Sequence, residues 1–145
     1  MRHVLTSVAA VALVVGAVAS ARAADPLGKW LTKDNNATVA IAHCGEALCG
    51  TIVALKEPND PATGKPKTDT ENPDAAKRGQ PMIGVQIVFD MKPSGADKWD
   101  GQVYNAEDGK TYTGSITLTG ASALELKGCA LGGLICKAQT WNRAK

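Results

Sequence analysis

An all-β fold is predicted for this 145-residue chain. Short runs of apolar–polar alternation recur, turn residues separate them, and no helical period follows the N-terminal segment. The runs form a meander of about eight strands, and a meander leaves two exposed edges unless it closes. Closure gives an eight-stranded, mostly antiparallel up-and-down β-barrel with one long loop. The two ends of the chain carry a sign of that closure: Gly28-Lys29-Trp30 opens the first strand and Trp141-Asn142-Arg143 ends the last. A guanidinium stacked on an indole is worth about 0.5–2 kcal/mol depending on desolvation. Trp30 and Arg143 are therefore read as a structural pair that seals the sheet, in preference to a ligand contact at Trp30.

The segment before the first strand reads as an address. Arg2 and His3 give a polar start, Val4 to Ala19 carries no charge, and Ala21-Arg22-Ala23 is a small-x-small cleavage site. The apolar run falls short of the roughly 20 residues a spanning helix needs. A signal peptide at 1–23 is expected, followed by a single barrel domain at 24–145 that is periplasmic or secreted. Without Arg2 and Arg22 the 16 basic residues fall to the number of acidic ones, 14, so the remaining chain is formally neutral. Its charges are scattered, which argues against nucleic acid as a partner. No second apolar stretch is long enough for an integral membrane span.

Residues 27–32 hold Trp30. In 37–43, Val39, Ile41 and His43 share one face, and Gly45-Glu46-Ala47 turns the chain into 48–55. Residues 56–81 contain five of the seven prolines and no useful apolar period. They are expected to form a long loop across one barrel mouth, with one helical turn near Pro73 to Lys77. Strand character returns at 83–92, with Val85, Ile87, Phe89 and Met91 on one face, and Pro93-Ser94-Gly95-Ala96 supplies the next turn. Residues 98–104 carry Trp99 and Tyr104. These two lie on opposite faces unless a bulge at Gly101 shifts the register. The Asn105–Gly109 loop ends in a glycine suited to positive φ. Strands at 110–118, 123–129 and 135–143 follow, the last two joined by a Gly132-Gly133 turn.

Cys44, Cys49, Cys129 and Cys136 all lie beyond the leader, and an even count in an exported chain reads as two disulfides with three possible connectivities. The pairing Cys44–Cys49 with Cys129–Cys136 is favoured, because each pair flanks the short turn of a hairpin. Loops that short contribute about 2–2.5 kcal/mol each in the chain-entropy model, so such bridges pin register more than they raise global stability. The rival is a metal site at His43, Cys44 and Cys49. Its spacing fits no zinc pattern, so neither a metal nor a cofactor is expected.

Eight strands enclose an interior that side chains fill or that holds one small ligand. Ile87, Phe89, Trp99 and Tyr112 are the candidate wall residues. In the long loop, Asp69, Asn72 and Arg78 are candidate mouth residues. The competing reading makes them structural: Asp69 and Asn72 bond backbone amides, and Arg78 pairs with Asp69 or Asp74. Gly50, Gly101, Gly114 and Gly128 on inward positions lean towards space, although glycine also serves barrel bends. Catalysis finds little support. His43 is the sole histidine beyond the leader, oxidised cysteines are not nucleophiles, and the paired carboxylates Asp97 with Asp100 and Glu107 with Asp108 fall at turns.

The chain resembles the exported bacterial proteins grouped as domain of unknown function 2147. The resemblance rests on Gly28-Lys29-Trp30, Val39-Ala40-Ile41, Leu48-Cys49-Gly50, Asp69 with Asn72-Pro73-Asp74, Arg78 with Pro81, and Gly84. It continues through Trp99-Asp100-Gly101, Tyr104, Gly109-Lys110 with Tyr112, Gly128, and Gln139-Thr140-Trp141-Asn142-Arg143. It implies a lipocalin-like (calycin) barrel of the cell envelope and supplies no activity and no catalytic residues. The expected function is non-catalytic binding of a small, partly apolar molecule. The alternative is a protein- or glycan-binding envelope module whose barrel is packed and has no ligand cavity.

Overall fold

The computed structural model describes residues 12–17 and 25–145. The signal peptide expected at 1–23 falls outside the described residues apart from 12–17, which are exposed and carry no regular structure. Eight strands follow: β1 (Gly28–Leu31), β2 (Ala37–Cys44), β3 (Ala47–Leu55), β4 (Gln86–Gly95), β5 (Lys98–Asn105), β6 (Lys110–Gly120), β7 (Ala123–Ala130) and β8 (Ile135–Arg143). Each pairs antiparallel with the next, and β8 returns to β1, so the sheet closes into a barrel in chain order. The seam is short, Trp30 opposite Arg143 and Leu31 opposite Asn142.

The seam holds because side chains reinforce two pairs of backbone partners. The Arg143 guanidinium carbon stands 4.3 Å from the Trp30 ring centroid. Arg143 also donates to the carbonyl oxygens of Leu27 (2.7 Å), Ala121 (2.9 Å) and Asp25 (3.0 Å). One planar fork thereby ties the segment before β1 to the β6–β7 turn, which a lysine ammonium cannot do with the same geometry. Trp30 is fully buried and its indole N–H donates to the Pro26 carbonyl at 2.8 Å. The expected structural pairing of Trp30 with Arg143 is what the fold contains.

Both favoured disulfides are present, Cys44–Cys49 and Cys129–Cys136. The second joins residues directly opposite each other in the β7–β8 register, and the first lies on the diagonal across β2–β3.

The sequence reading of β4 needs correction. Its pairing with β5 shifts between Phe89 and Lys92, and Asp90 adopts φ 49°. That irregularity inverts the side-chain phase. Val88 and Met91 are therefore the fully buried residues, and Ile87 and Phe89 are only partly covered. The bulge lies here and not at Gly101, where β5 and β6 pair without interruption. Gly101 serves the bulge from the opposite strand, since a Cβ there would collide with the carbonyl oxygen of Phe89. The β4–β5 turn is Ala96-Asp97, and Pro93 lies within the strand opposite Trp99. Pairing of β3 with β4 ends at Met91, so the missing Pro93 N–H falls beyond that ladder. His43 does not follow Val39 and Ile41 inward; it is exposed at the end of β2.

Candidate functional site

Along each inward row, the interior changes character from one end to the other. At the end where β1 begins and β8 finishes, Trp30, Val39, Val88, Met91, Ile116, Leu124 and Trp141 are almost inaccessible to water and form one cluster. At the opposite end the barrel opens into a cavity of about 1080 Å³. Its apolar lining comes from Ile52, Leu55, Met82, Ile87, Leu126 and Ile135, with Trp141 beneath them. Tyr112, Lys137 and Gln139 add polar groups, and Lys33, Asp34, Lys56, Glu57 and Lys67 surround the entrance.

Register explains this composition. Leu124 faces Trp141, Leu126 faces Gln139 and Gly128 faces Lys137 along β7–β8, so β8 sends Trp141, Gln139 and Lys137 inward in order towards the mouth. The Gln139 side-chain oxygen Oε1 accepts from the Trp141 indole N–H at 2.9 Å, which fixes the amide above the buried ring. Gly128 is the one inward glycine with room. Its ideal Cβ would lie 3.6 Å from the Tyr112 Cβ, whereas at Gly50 the nearest Val88 carbons stand at 2.9 Å and at Gly114 the Val103 side chain already occupies the space. Three of the four glycines taken to lean towards space thus serve close packing. Tyr112 is engaged at its hydroxyl by Asp108. That bond holds the Asp108 carboxyl below its ordinary range and raises the Tyr112 phenol.

The long loop borders the mouth as expected, through Lys56, Glu57 and Lys67, and Met82 follows it directly. It is folded on itself by bridges between Asn59 and Pro66 and between Thr68 and Pro81. Its centre is a carboxylate. Asp69 is fully buried and accepts from the Tyr104 hydroxyl (2.8 Å), the Asn72 amide (2.8 Å) and the Gln80 amide (3.3 Å). Both of its oxygens are thereby used, and the loop is fastened to β5. Burial first, then the bond to Asp69, pushes the Tyr104 phenol up to about 12. Gly109, at φ 70°, accepts the loop from the other side, because a Cβ there would strike the Glu71 carbonyl oxygen. The expected helical turn is a 3-10 turn at Ala75–Lys77, capped by the Asp74 side chain on the Ala76 N–H, with Pro73 outside it.

Of the candidate residues, Ile87 and Tyr112 line the cavity. Trp99 packs against the core cluster and Phe89 lies beside the β4 bulge, so neither forms the wall. Asp69, Asn72 and Arg78 are not among the lining residues either. Arg78 donates to the Asn72 carbonyl at 2.7 Å instead of pairing with a carboxylate, and the three together form the loop's internal fastening. Lys137, Gln139, Leu126 and Ile52 were missed. The signal was present in the period-2 run Ile135, Lys137, Gln139, Trp141, once Trp141 is known to face inward.

The family model described as "Uncharacterized protein conserved in bacteria (DUF2147)" matches residues 28–143, from the first strand to the seam arginine. A solved structure described as protein HP1028 from the human pathogen Helicobacter pylori, belonging to the lipocalin family, superposes with a TM-score of 0.70. It is 23% identical, and the match covers 83% of this chain and 84% of that one. At that identity the likeness speaks for the barrel alone. No curated protein matches the chain.

Proposed function

This chain belongs to the bacterial family domain of unknown function 2147, and from that premise we propose that it is an exported, non-catalytic protein that binds a small, partly apolar molecule in the open half of its lipocalin-like barrel. The observation that carries this reading is the interior asymmetry. The closed end buries its large side chains against one another, while the same strands leave about 1080 Å³ at the other end. A cavity of that size with an apolar lining and a few placed polar groups has the usual make-up of a small-molecule site. The lining favours an elongated or ring-shaped apolar body against Ile52, Ile87 and Leu126, with a polar end towards Tyr112, Gln139 and Lys137.

Two disulfides support an oxidising compartment outside the cytoplasm. Among the described residues no helix is long and apolar enough to cross a membrane. The carboxylate held most firmly, Asp69, spends both oxygens on loop bonds, which favours a structural role for it over an acid–base one.

The test is a fluorescence titration with N-phenyl-1-naphthylamine, a neutral apolar probe, on the wild type and on Gly128→Leu. The new side chain projects into the cavity from the one inward glycine with room for it. Saturable binding by the wild type, weakened about tenfold or more in the variant at unchanged thermal stability, is the expected result. Equal binding by both chains, or none by the wild type, would remove the cavity as the site.

A further inference from the structure

The β7–β8 hairpin ends in the largest exposed apolar group of the described barrel, and of its members only Ile135 borders the cavity, so nothing in the ligand-binding reading requires Leu131 and Leu134. Leu131, Leu134 and Ile135 are 70%, 86% and 55% exposed. A solvated hairpin tip is ordinarily built of polar turn residues, and three large aliphatic side chains within five positions depart from that. We propose that this tip is a lipid-docking finger. Leu131 and Leu134 enter the interface of an anionic lipid surface and bring the barrel mouth against it.

Three further features fit that occupant. The first is backbone shape. Leu131 adopts φ 53°, a region in which a bulky residue is an outlier, and Gly132 and Gly133 continue at φ 66° and 93°. Asparagine or glycine would fit position 131 with less strain and better solvation, yet a leucine stands there and points into water. The second is rigidity. Cys129 and Cys136 are joined directly behind the tip with their Cα atoms 4.1 Å apart. The finger is thus already ordered, which lowers the entropy lost on docking.

The third feature is charge. Between Leu126 and Gln139 the hairpin carries two basic residues, Lys127 and Lys137, and no acidic one. Lys127 and Lys137 stand on opposite faces of the hairpin, opposite Ala138 and Gly128 in its register. They trail the apolar residues by two to four positions, roughly 7–13 Å along a strand. A tip immersed at the acyl boundary therefore sets the outward Lys127 ammonium at headgroup depth, with Lys137 behind it at the cavity rim, and an anionic surface attracts both. The acids near the mouth, Asp34, Glu57, Glu107 and Asp108, belong to other connections, and Asp108 is engaged by Tyr112 and the Lys110 N–H. Position gives the finger its purpose. Ala130 and Ile135 border the cavity, so a surface that receives the tip faces the entrance.

Flotation tests this with vesicles of phosphatidylethanolamine and phosphatidylglycerol, and with vesicles of phosphatidylcholine alone. The chains are the wild type, L131S/L134S and K127E. Comparison within one chain length cancels any contribution of residues 1–24. The wild type is expected to float with the anionic vesicles and about tenfold less with the neutral ones. L131S/L134S should lose about tenfold or more and K127E about fivefold. Neither substitution touches the cavity lining or the core, so denaturation midpoints and naphthylamine binding should stay as in the wild type. That second readout separates failure of the finger from failure of the ligand site. Wild-type flotation that ignores lipid charge, or a double variant that floats as well as the wild type, would overturn the proposal. So would absence of flotation alongside a concentration-dependent dimer that L131S/L134S abolishes, because a second copy of the chain would then be the occupant.

Discussion

At the closed end of the barrel two tryptophans, a methionine and branched aliphatics pack into one buried cluster; at the open end the same eight strands contribute Tyr112, Gly128, Lys137 and Gln139 and leave a cavity. Neither end is explained by strand propensity, which is alike along each strand. The difference lies in which residue types occupy the inward positions and in what covers the ends. Arg143 and the segment before β1 cover one end with backbone carbonyls and an indole. The long loop borders the other, held by one buried carboxylate. The barrel is therefore divided: one half is packed with buried side chains, and the other is the half that the proposed function assigns to a ligand.

That division predicts unequal costs. Trp30→Ala removes a fully buried indole and the surface on which Arg143 stacks, and should cost about 3–5 kcal/mol in urea unfolding. Lys137→Ala, at the open end of the same barrel, should stay within about 0.5 kcal/mol. Comparable losses from the two would mean that the ends are energetically alike. The glycine pair sharpens the contrast on neighbouring strands. Gly114→Ala drives a methyl into Val103 and should cost about 1–3 kcal/mol. Gly128→Ala finds only ordinary contact and should be neutral or slightly stabilising, since alanine has less backbone freedom to lose.

The loop fastening gives a smaller effect with a pH signature. Tyr104→Phe removes the hydroxyl that ties β5 to Asp69 and should cost about 1–2 kcal/mol near neutral pH. The Tyr104 phenol moves from 10.0 to about 12 on folding. Between those values the folded chain keeps a proton that the unfolded chain has released. The contribution is complete below pH 10 and is lost as pH rises through that window. The stability difference between wild type and Tyr104→Phe should accordingly shrink from pH 10 to 12, because lysines and the other tyrosine titrate in both chains. A difference that stays constant over that interval would place the phenol in water.

Much of the fold was legible because its signals are local or sit at the chain ends. Alternation located the strands to within a few residues, paired turns gave both disulfides, and Trp30 with Arg143 gave the seam. The failures at Ile87 and Phe89 lie in β4, whose side-chain phase changes along the strand. Pairing with β3 shifts between Gln86 and Val88, and pairing with β5 shifts between Phe89 and Lys92, where Asp90 takes a positive φ; Val88 and Met91 thus turn inward, Phe89 leaves the wall and Ile87 still reaches the cavity, and no residue type announces either shift. The glycines misled for a related reason: composition cannot distinguish a glycine that leaves space, as Gly128 does, from one already occupied by a neighbour, as Gly114 is. Asp69 was singled out, but its partner Tyr104 lies 35 positions away, and only the folded loop joins them.

The division of the barrel is tested most directly by methyl-resolved NMR of the protein titrated with N-phenyl-1-naphthylamine. Shifts confined to Ile52, Leu55, Ile87 and Leu126, with Val39, Val88, Ile116 and Leu124 unmoved, are the predicted result. Perturbation spread evenly over both groups, or a probe that moves neither, would contradict it.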